Sequence, residues 1–265
     1  MITDYTKCLT PTISWVLSAL VYDENNVQRR ISQLFPPFKT HFWSHNHGSH
    51  FHGVVLDKDN DRAWHVHRGT DGDNGYGEFL SWLYDVNMFS GPDGTHNGFD
   101  NLAHIAFDEA KGYLENYNYL YDTGHSQGAG VAPIDACLCV ENLTFKHVQC
   151  DLFAAPPCFK LIGAVRFNKH MADGKLSCDR YVNPNDPIAS SILRNGKSML
   201  LNGVDVGEEI MLADITPHRL GPIEVLNHSC AQYNASYMIH LINKCNSVPL
   251  LDVKLLAEIN EWIVN

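Results

Sequence analysis

The sequence predicts an α/β domain with a mostly parallel central sheet and helices on both faces. Three observations point there. Short β-prone runs at 119–122, 148–153 and 180–183 alternate with helical patterns at 127–141 and 161–171, and that alternation builds a parallel sheet buried on both sides. Hydrophobic residues make up 45% of the 265 and charged residues 18%, against ~25% charged in an average soluble domain, so the chain can fill one large core and is not disordered. No repeat, low-complexity tract or linker rich in Pro, Gly and Ser divides it, which predicts a single domain over 1–265.

Taken in order, the chain opens without a basic n-region, and the apolar stretch 13–22 is broken by Ser14 and Ser18 and leads to Asp23 and Glu24 with no small-residue cleavage site. It reads as an amphipathic first helix, and a cytoplasmic location is expected. No run approaches the ~18 apolar residues of a membrane span, so the expected state is soluble, or at most in peripheral contact with lipid. Runs 53–56 and 63–67, joined by the polar turn from Asp57 to Arg62, form a hairpin or adjacent strands. A Gly/Asp-rich loop follows at 71–77, and 232–244 and 250–263 close the chain as helices. The eight cysteines include no C-x-x-C pair and are expected to be reduced and buried. The sequons at Asn142, Asn227 and Asn234 read as chance matches in a chain that is not secreted.

The net charge is −11, and no run of Lys and Arg could track a phosphate backbone, which argues against nucleic acid and anionic membrane surfaces as partners. Protonating all 15 histidines would take the charge to +4, so electrostatics should depend on pH.

The chemistry centres on the segment Tyr119-Leu120-Tyr121-Asp122-Thr123-Gly124-His125-Ser126-Gln127-Gly128-Ala129-Gly130. Its G-x-S-x-G pattern lies between an apolar strand and a helix rich in small residues, the setting that holds a serine on a strained elbow at a strand's C-terminal end. The helix that follows aims its N–H groups and positive dipole end at the place where an oxyanion would form. A nucleophilic Ser126 needs a later acid and then a histidine base. Asp186, in a loop stiffened by Pro184 and Pro187 after the 180–183 strand, is the candidate acid, with Asp205 and Asp214 as rivals; Asp179 precedes that strand and belongs at the wrong end of the sheet. His228 sits in a loop just ahead of the penultimate helix and is the candidate base, with His218 its competitor. His240, within an apolar helical run, reads as a core histidine.

The other histidines invite a metal reading. His41, His45, His47, His50 and His52, with His65 and His67, include H-x-H spacings that place two rings on one strand face, which zinc can use. No carboxylate or cysteine at helical spacing completes a site. The expectation is a polar, pH-titrating surface or substrate rim, with neither metal nor cofactor. Asp57 to Asp61 resembles the start of a calcium loop but lacks its glycine and distal glutamate, and reads as a solvated turn.

Ordered blocks from about residue 10 to 245 resemble the class 3, fungal-lipase-like family of the α/β hydrolases. His67-Arg68-Gly69-Thr70 resembles that family's F-R-G-T strand end, and Trp82-Leu83-Tyr84-Asp85 its W-x-x-D; Thr95-His96-Asn97-Gly98-Phe99 resembles V-H-x-G-F. Thr123 to Ala129 resembles T-G-H-S-x-G-A, Phe153 to Pro157 the F-G-x-P strand end, Arg180 to Pro187 R-x-V-N-x-x-D-P, and His228 with Tyr233 H-x-x-x-Y. The resemblance implies an α/β-hydrolase fold and a catalytic triad of Ser126, Asp186 and His228. It also implies an oxyanion hole from the backbone N–H groups of Thr70 and Gln127, with the Thr70 hydroxyl as a third donor. His67 stands where the family has Phe and Gln127 where it has Leu, and the lid-equivalent segment 71–95 is polar, which points away from a greasy lid. Within it, Phe79, Leu80, Trp82 and Leu83 suit either an amphipathic lid helix or a core-packing one. The implied activity is hydrolysis of carboxylic esters of acylglycerol- or phospholipid-like substrates. An esterase for soluble or polysaccharide-linked acyl groups, and a catalytically silent binding protein on the same fold, are the alternatives.

Overall fold

A computed structural model describes residues 8–45, 50–70, 94–186, 188–189, 203–215, 228–244 and 249–264. The described elements are α1 (Thr10–Leu20), α2 (Val27–Leu34), β1 (Lys39–His45), β2 (His50–Asp57), β3 (Arg62–His67), α3 (Asn97–Leu114), β4 (Tyr119–His125), α4 (Gln127–Asn142), β5 (His147–Phe153), α5 (Leu161–Ala172), β6 (Leu176–Val182), β7 (Glu208–Met211), α6 (Cys230–Lys244) and α7 (Leu250–Val264). The strands form a seven-stranded sheet in sequence order. β1, β2 and β3 pair antiparallel, and every pairing from β3 to β7 is parallel. A sheet that advances steadily through crossovers of one hand must carry those crossover helices on one face. Accordingly α3, α4 and α5 pack there around Phe99, Phe107, Ile134, Leu138 and Phe167. The opposite face is covered by α1, α2, α6 and α7 through Trp15, Ile31, Tyr237, Leu255 and Ile259.

The expected hairpin is present, with β2 and β3 joined by a single 3-10 turn at Lys58–Asn60. Asp57 is buried there and ties the turn down, accepting from the Asn60 N–H and from Arg62 Nε at 2.8 Å. Two expectations need correction. The first helix is buried nearly all round: Thr12, Ser14 and Ser18 lie inside because each has a partner, Asp252, Asp151 and Thr123 respectively. Asp179 lies within β6 and does not precede it. The edge strand β1 went unforeseen because its histidines, Thr40 and Ser44 supply none of the apolar alternation that marks a strand. Asn234 is buried, accepting from Trp15 Nε1 at 2.7 Å and donating to Leu256 O, so that sequon is no glycan acceptor in the fold. No cysteine among the described residues is in a disulfide, and all but the half-buried Cys230 are buried. The lid-equivalent segment lies outside the described residues except at 94–95, as do Asn227, Cys245 and His218.

Candidate active site

Ser126 follows directly on β4 and serves as the N-cap of α4 at φ 57° and ψ −123°, a left-handed backbone that an L-residue adopts only under constraint, typically at ~1–3 kcal/mol. Two features hold it. The Ser126 N–H donates to Phe153 O on β5 at 3.0 Å. Glycines also let the backbones close in: a Cβ on Gly128 would meet His67 O at 2.1 Å, and one on Gly124 would meet the Gly128 carbonyl carbon at 2.5 Å. The turn therefore locks against β3, and any side chain at either glycine would push the elbow outward.

The loop after β6 and the segment ahead of α6 converge on this serine from distant parts of the chain. His228 Nε2 lies 2.7 Å from Ser126 Oγ, and His228 Nδ1 lies 2.7 Å from Asp186 Oδ2. Asp186 is fully buried, yet each of its oxygens is satisfied. Oδ1 accepts from the Ile188 and Ala189 N–H groups at 2.8 and 3.1 Å, and Oδ2 also accepts from the Tyr233 hydroxyl at 2.7 Å. Burial alone would raise the Asp186 pKa, but the His228 ring and these donors outweigh it and hold the group below the usual carboxylate value. The Tyr233 hydroxyl in turn accepts from the Asn183 N–H at 3.0 Å, so one tyrosine fastens both ends of the acid loop.

His125, next to the serine, has a supporting position that the sequence did not reveal. Its Nε2 lies 2.9 Å from His228 O and its Nδ1 2.9 Å from the Tyr22 hydroxyl. Burial, then the neighbouring His228, pushes its pKa down to about 3, so the ring is neutral and its Nε2–H holds the backbone of His228 in place. Thr70 and Gln127 meet beside the elbow, Thr70 Oγ1 donating to Gln127 Oε1 at 3.0 Å. In this arrangement the Thr70 hydroxyl is engaged by a side chain. Gly69 presses against Ser126, since a Cβ there would lie 3.1 Å from the serine Cβ.

The rival groups lie elsewhere. Asp205 sits 3.6 Å from Arg180, Asp214 accepts from Asn185 at 2.8 Å, and His240 is half-buried against Tyr237 and not in the core. The expected histidine surface holds for exposed His41 and half-buried His45, His47 lies outside the described residues, and the other four are the main correction. His50, His52, His65 and His67 are all buried, on the sheet face that α3 and α4 cover. Burial, with the neighbouring rings, lowers the pKa of His50 to about 4 and pulls those of His52 and His67 down as well. Their pH effect therefore bears on stability, not on solubility. Period-two alternation shows which residues share a face; it does not show that the covering helices bring carboxylates to meet them.

Residues 66–195 match the family described as Lipase (class 3). No curated protein matches the chain. Among solved structures, it is similar to lipase II from Rhizopus niveus at 16% identity and TM-score 0.59, covering 76% of this chain and 78% of that one. It is also similar to the Rhizomucor miehei triacylglyceride lipase (18%, TM-score 0.56, 77% and 79% covered) and to the lipase of Rhizopus microsporus var. chinensis (14%, TM-score 0.58, 76% and 72% covered). At these identities the structures establish the shared fold, and the matched segment carries the elbow and Asp186. Just under half of the chain, residues 66–195, thus matches the class 3 lipase family, and the protein is an ester hydrolase.

Proposed function

We propose that this ester hydrolase works through an acyl-serine intermediate, with Ser126 as nucleophile, His228 as general base and then acid, and Asp186 orienting His228 and stabilising its cation. The observation that carries the reading is the hydrogen-bonded line from Asp186 through His228 to Ser126 Oγ, with 2.7 Å at each step. His228 Nε2 takes the hydroxyl proton as Oγ attacks the ester carbonyl, and the same nitrogen returns it to the leaving alcohol. The tetrahedral oxyanion forms against the N–H groups of Thr70 and Gln127, where one such donor typically contributes ~3 kcal/mol to the transition state. Water then repeats the sequence on the acyl-enzyme. The Thr70 hydroxyl becomes a third donor if it turns from Gln127 Oε1 toward the substrate.

The substrates are acylglycerol- or phospholipid-like esters. Leu161, Ile162 and Val165, 70%, 69% and 60% exposed, form an apolar surface on the first turns of α5. Because α5 follows β5, that end of the helix lies at the same C-terminal end of the parallel strands as Ser126, and an exposed apolar patch there suits contact with a lipid surface. The polar 71–77 segment favours the second reading, an esterase for soluble or polysaccharide-linked acyl groups. A fluorophosphonate probe should label the chain, and Ser126→Ala should abolish labelling; labelling that survives the substitution overturns the nucleophile. Emulsified long-chain esters should be cleaved faster than soluble short-chain p-nitrophenyl esters, and the reverse order supports the second reading.

A further inference from the structure

A second cluster of histidines and carboxylates lies outside the triad, walled into the interior. His65 and His67 stand two residues apart on β3, so both rings face the layer made by α3 and α4. Asp122 is the β4 register partner of His65, and Asp135 reaches the same point from α4. All of these side chains are fully buried, and one ligand atom from each lies within 4.8 Å of the others. His65 Nδ1 is 2.7 Å from Asp135 Oδ2, and His67 Nε2 is 3.1 Å from Asp122 Oδ1 and 3.9 Å from Asp135 Oδ2.

The cluster does not satisfy itself. His67 Nδ1, Asp122 Oδ2 and Asp135 Oδ1 are buried with no hydrogen-bond partner. Two adjoining carboxylates in the interior cannot both stay charged unaided: they hold one proton between them or face a cation. The arginines at the start of β3 and just after it are directed elsewhere, Arg62 to Asp57 and Arg68 to Glu24.

Surrounding groups orient the ligand atoms. A carboxylate only accepts hydrogen bonds, so His52 Nε2, 2.9 Å from Glu109 Oε2, is the donor nitrogen of that ring, and His52 Nδ1 accepts. By the same rule His65 Nδ1 donates to Asp135 Oδ2 at 2.7 Å in the pair as it stands; an ion that takes Nδ1 shifts that proton to His65 Nε2, 3.1 Å from the accepting His52 Nδ1. A histidine whose outer N–H is held by a relay ending on a carboxylate is the usual arrangement of a metal-ligating imidazole.

We propose that His65, His67, Asp122 and Asp135 bind one divalent transition-metal ion, with Zn2+ the best match to the donor set. Two imidazoles and two carboxylates suit zinc, whereas calcium and magnesium prefer all-oxygen shells. The protein supplies every ligand and the site has no opening to solvent, so the ion's role is structural. It joins β3, β4 and α4, the first two leading into Thr70 and Ser126 and the third beginning at Gln127, and its charge neutralises both carboxylates.

The experiment uses the full chain, purified without a histidine tag. Elemental analysis should find about one equivalent of zinc per chain. After chelation and reconstitution with Co2+, visible ligand-field bands of a four-coordinate nitrogen and oxygen site should appear, and the thermal midpoint should rise on adding either metal. His67→Gln and Asp135→Asn should lose the stoichiometric metal, and Glu109→Gln should weaken binding by about 10- to 100-fold through the His52 relay. His147→Gln, on a different part of the sheet, should retain it. If the ligand variants do not fold, the cobalt spectrum and metal content of the unmodified chain decide the matter. Absence of stoichiometric metal together with an unfolding midpoint indifferent to Zn2+ and Co2+ overturns the proposal in favour of a proton shared by the carboxylates. Loss of metal in His45→Gln with retention in Asp135→Asn would place the ion in the neighbouring set of His45, His52 and Glu109, and overturns the assignment too.

Discussion

Two histidine–aspartate pairs in this chain have the same separation and opposite surroundings. His228 and Asp186 meet at 2.7 Å, as do His65 and Asp135. In the first pair both carboxylate oxygens are satisfied, by two backbone N–H groups and a tyrosine hydroxyl, and the far nitrogen of the ring faces a hydroxyl on a strained turn. In the second, the aspartate keeps an orphaned oxygen, a second carboxylate adjoins it, and the far nitrogen of the ring leads to another histidine. A histidine–aspartate distance by itself therefore identifies neither catalysis nor structure. The group at the other end of the ring, and the completeness of the carboxylate's hydrogen bonds, separate the two.

The largest effects should divide along that line. Ser126→Ala should lower kcat by about 10⁴- to 10⁶-fold, and Asp186→Asn by about 10⁴-fold, with the fold intact by circular dichroism. Full activity in Asp186→Asn would break the distinction. Asp135→Ala should instead cost stability, about 3–5 kcal/mol in denaturant unfolding, because it strands a buried partner. Hydrolysis per folded molecule should fall far less than in Asp186→Asn; an equal fall would mean the two pairs are not separable.

A third buried aspartate sharpens the contrast by titration. Asp151 is raised from 3.8 to about 6, with burial outweighing the hydrogen bonds from Ser14 and Gln149. Its folded-state proton is held more tightly, so its share of stability is present below pH ~4 and is lost as pH rises through ~6. Asp151→Asn should therefore stabilise the protein by about 3 kcal/mol at pH 8 and by almost nothing at pH 4, measured by urea unfolding. A gain that is independent of pH would contradict the shift. Neutral His125, lowered to about 3, acts in the opposite direction: its share is lost as pH falls below 6.5. The smallest effect should come from Tyr233→Phe, which removes one hydrogen bond to a charged acid, worth about 1.5–3 kcal/mol. It should reduce kcat more than it changes KM, and an unchanged kcat would leave Asp186 held by its backbone donors alone.

Much of the site was legible because its residues follow local rules. The elbow needs glycines where backbones touch, the proposed acid follows a strand stopped by proline, and the proposed base precedes a helix. Each rule acts within a few residues, so Ser126, Asp186 and His228 could be nominated individually. Tyr233 stood out in the sequence only as part of a late motif, and His125 only as a residue of the elbow; their hydrogen bonds span 47 and 103 residues.

By itself the sequence determined the alternation of strands and helices, the strained turn and the order of the candidate triad, because periodicity and steric exclusion at glycine are local. Only the tertiary structure decided which of 15 histidines are buried and what each one meets. An H-x-H spacing reveals that two rings share a face, but the partners arrive from β4, from α4 and, through His52, from α3. Burial and pairing are properties of the assembled layers, and no neighbour along the chain records them.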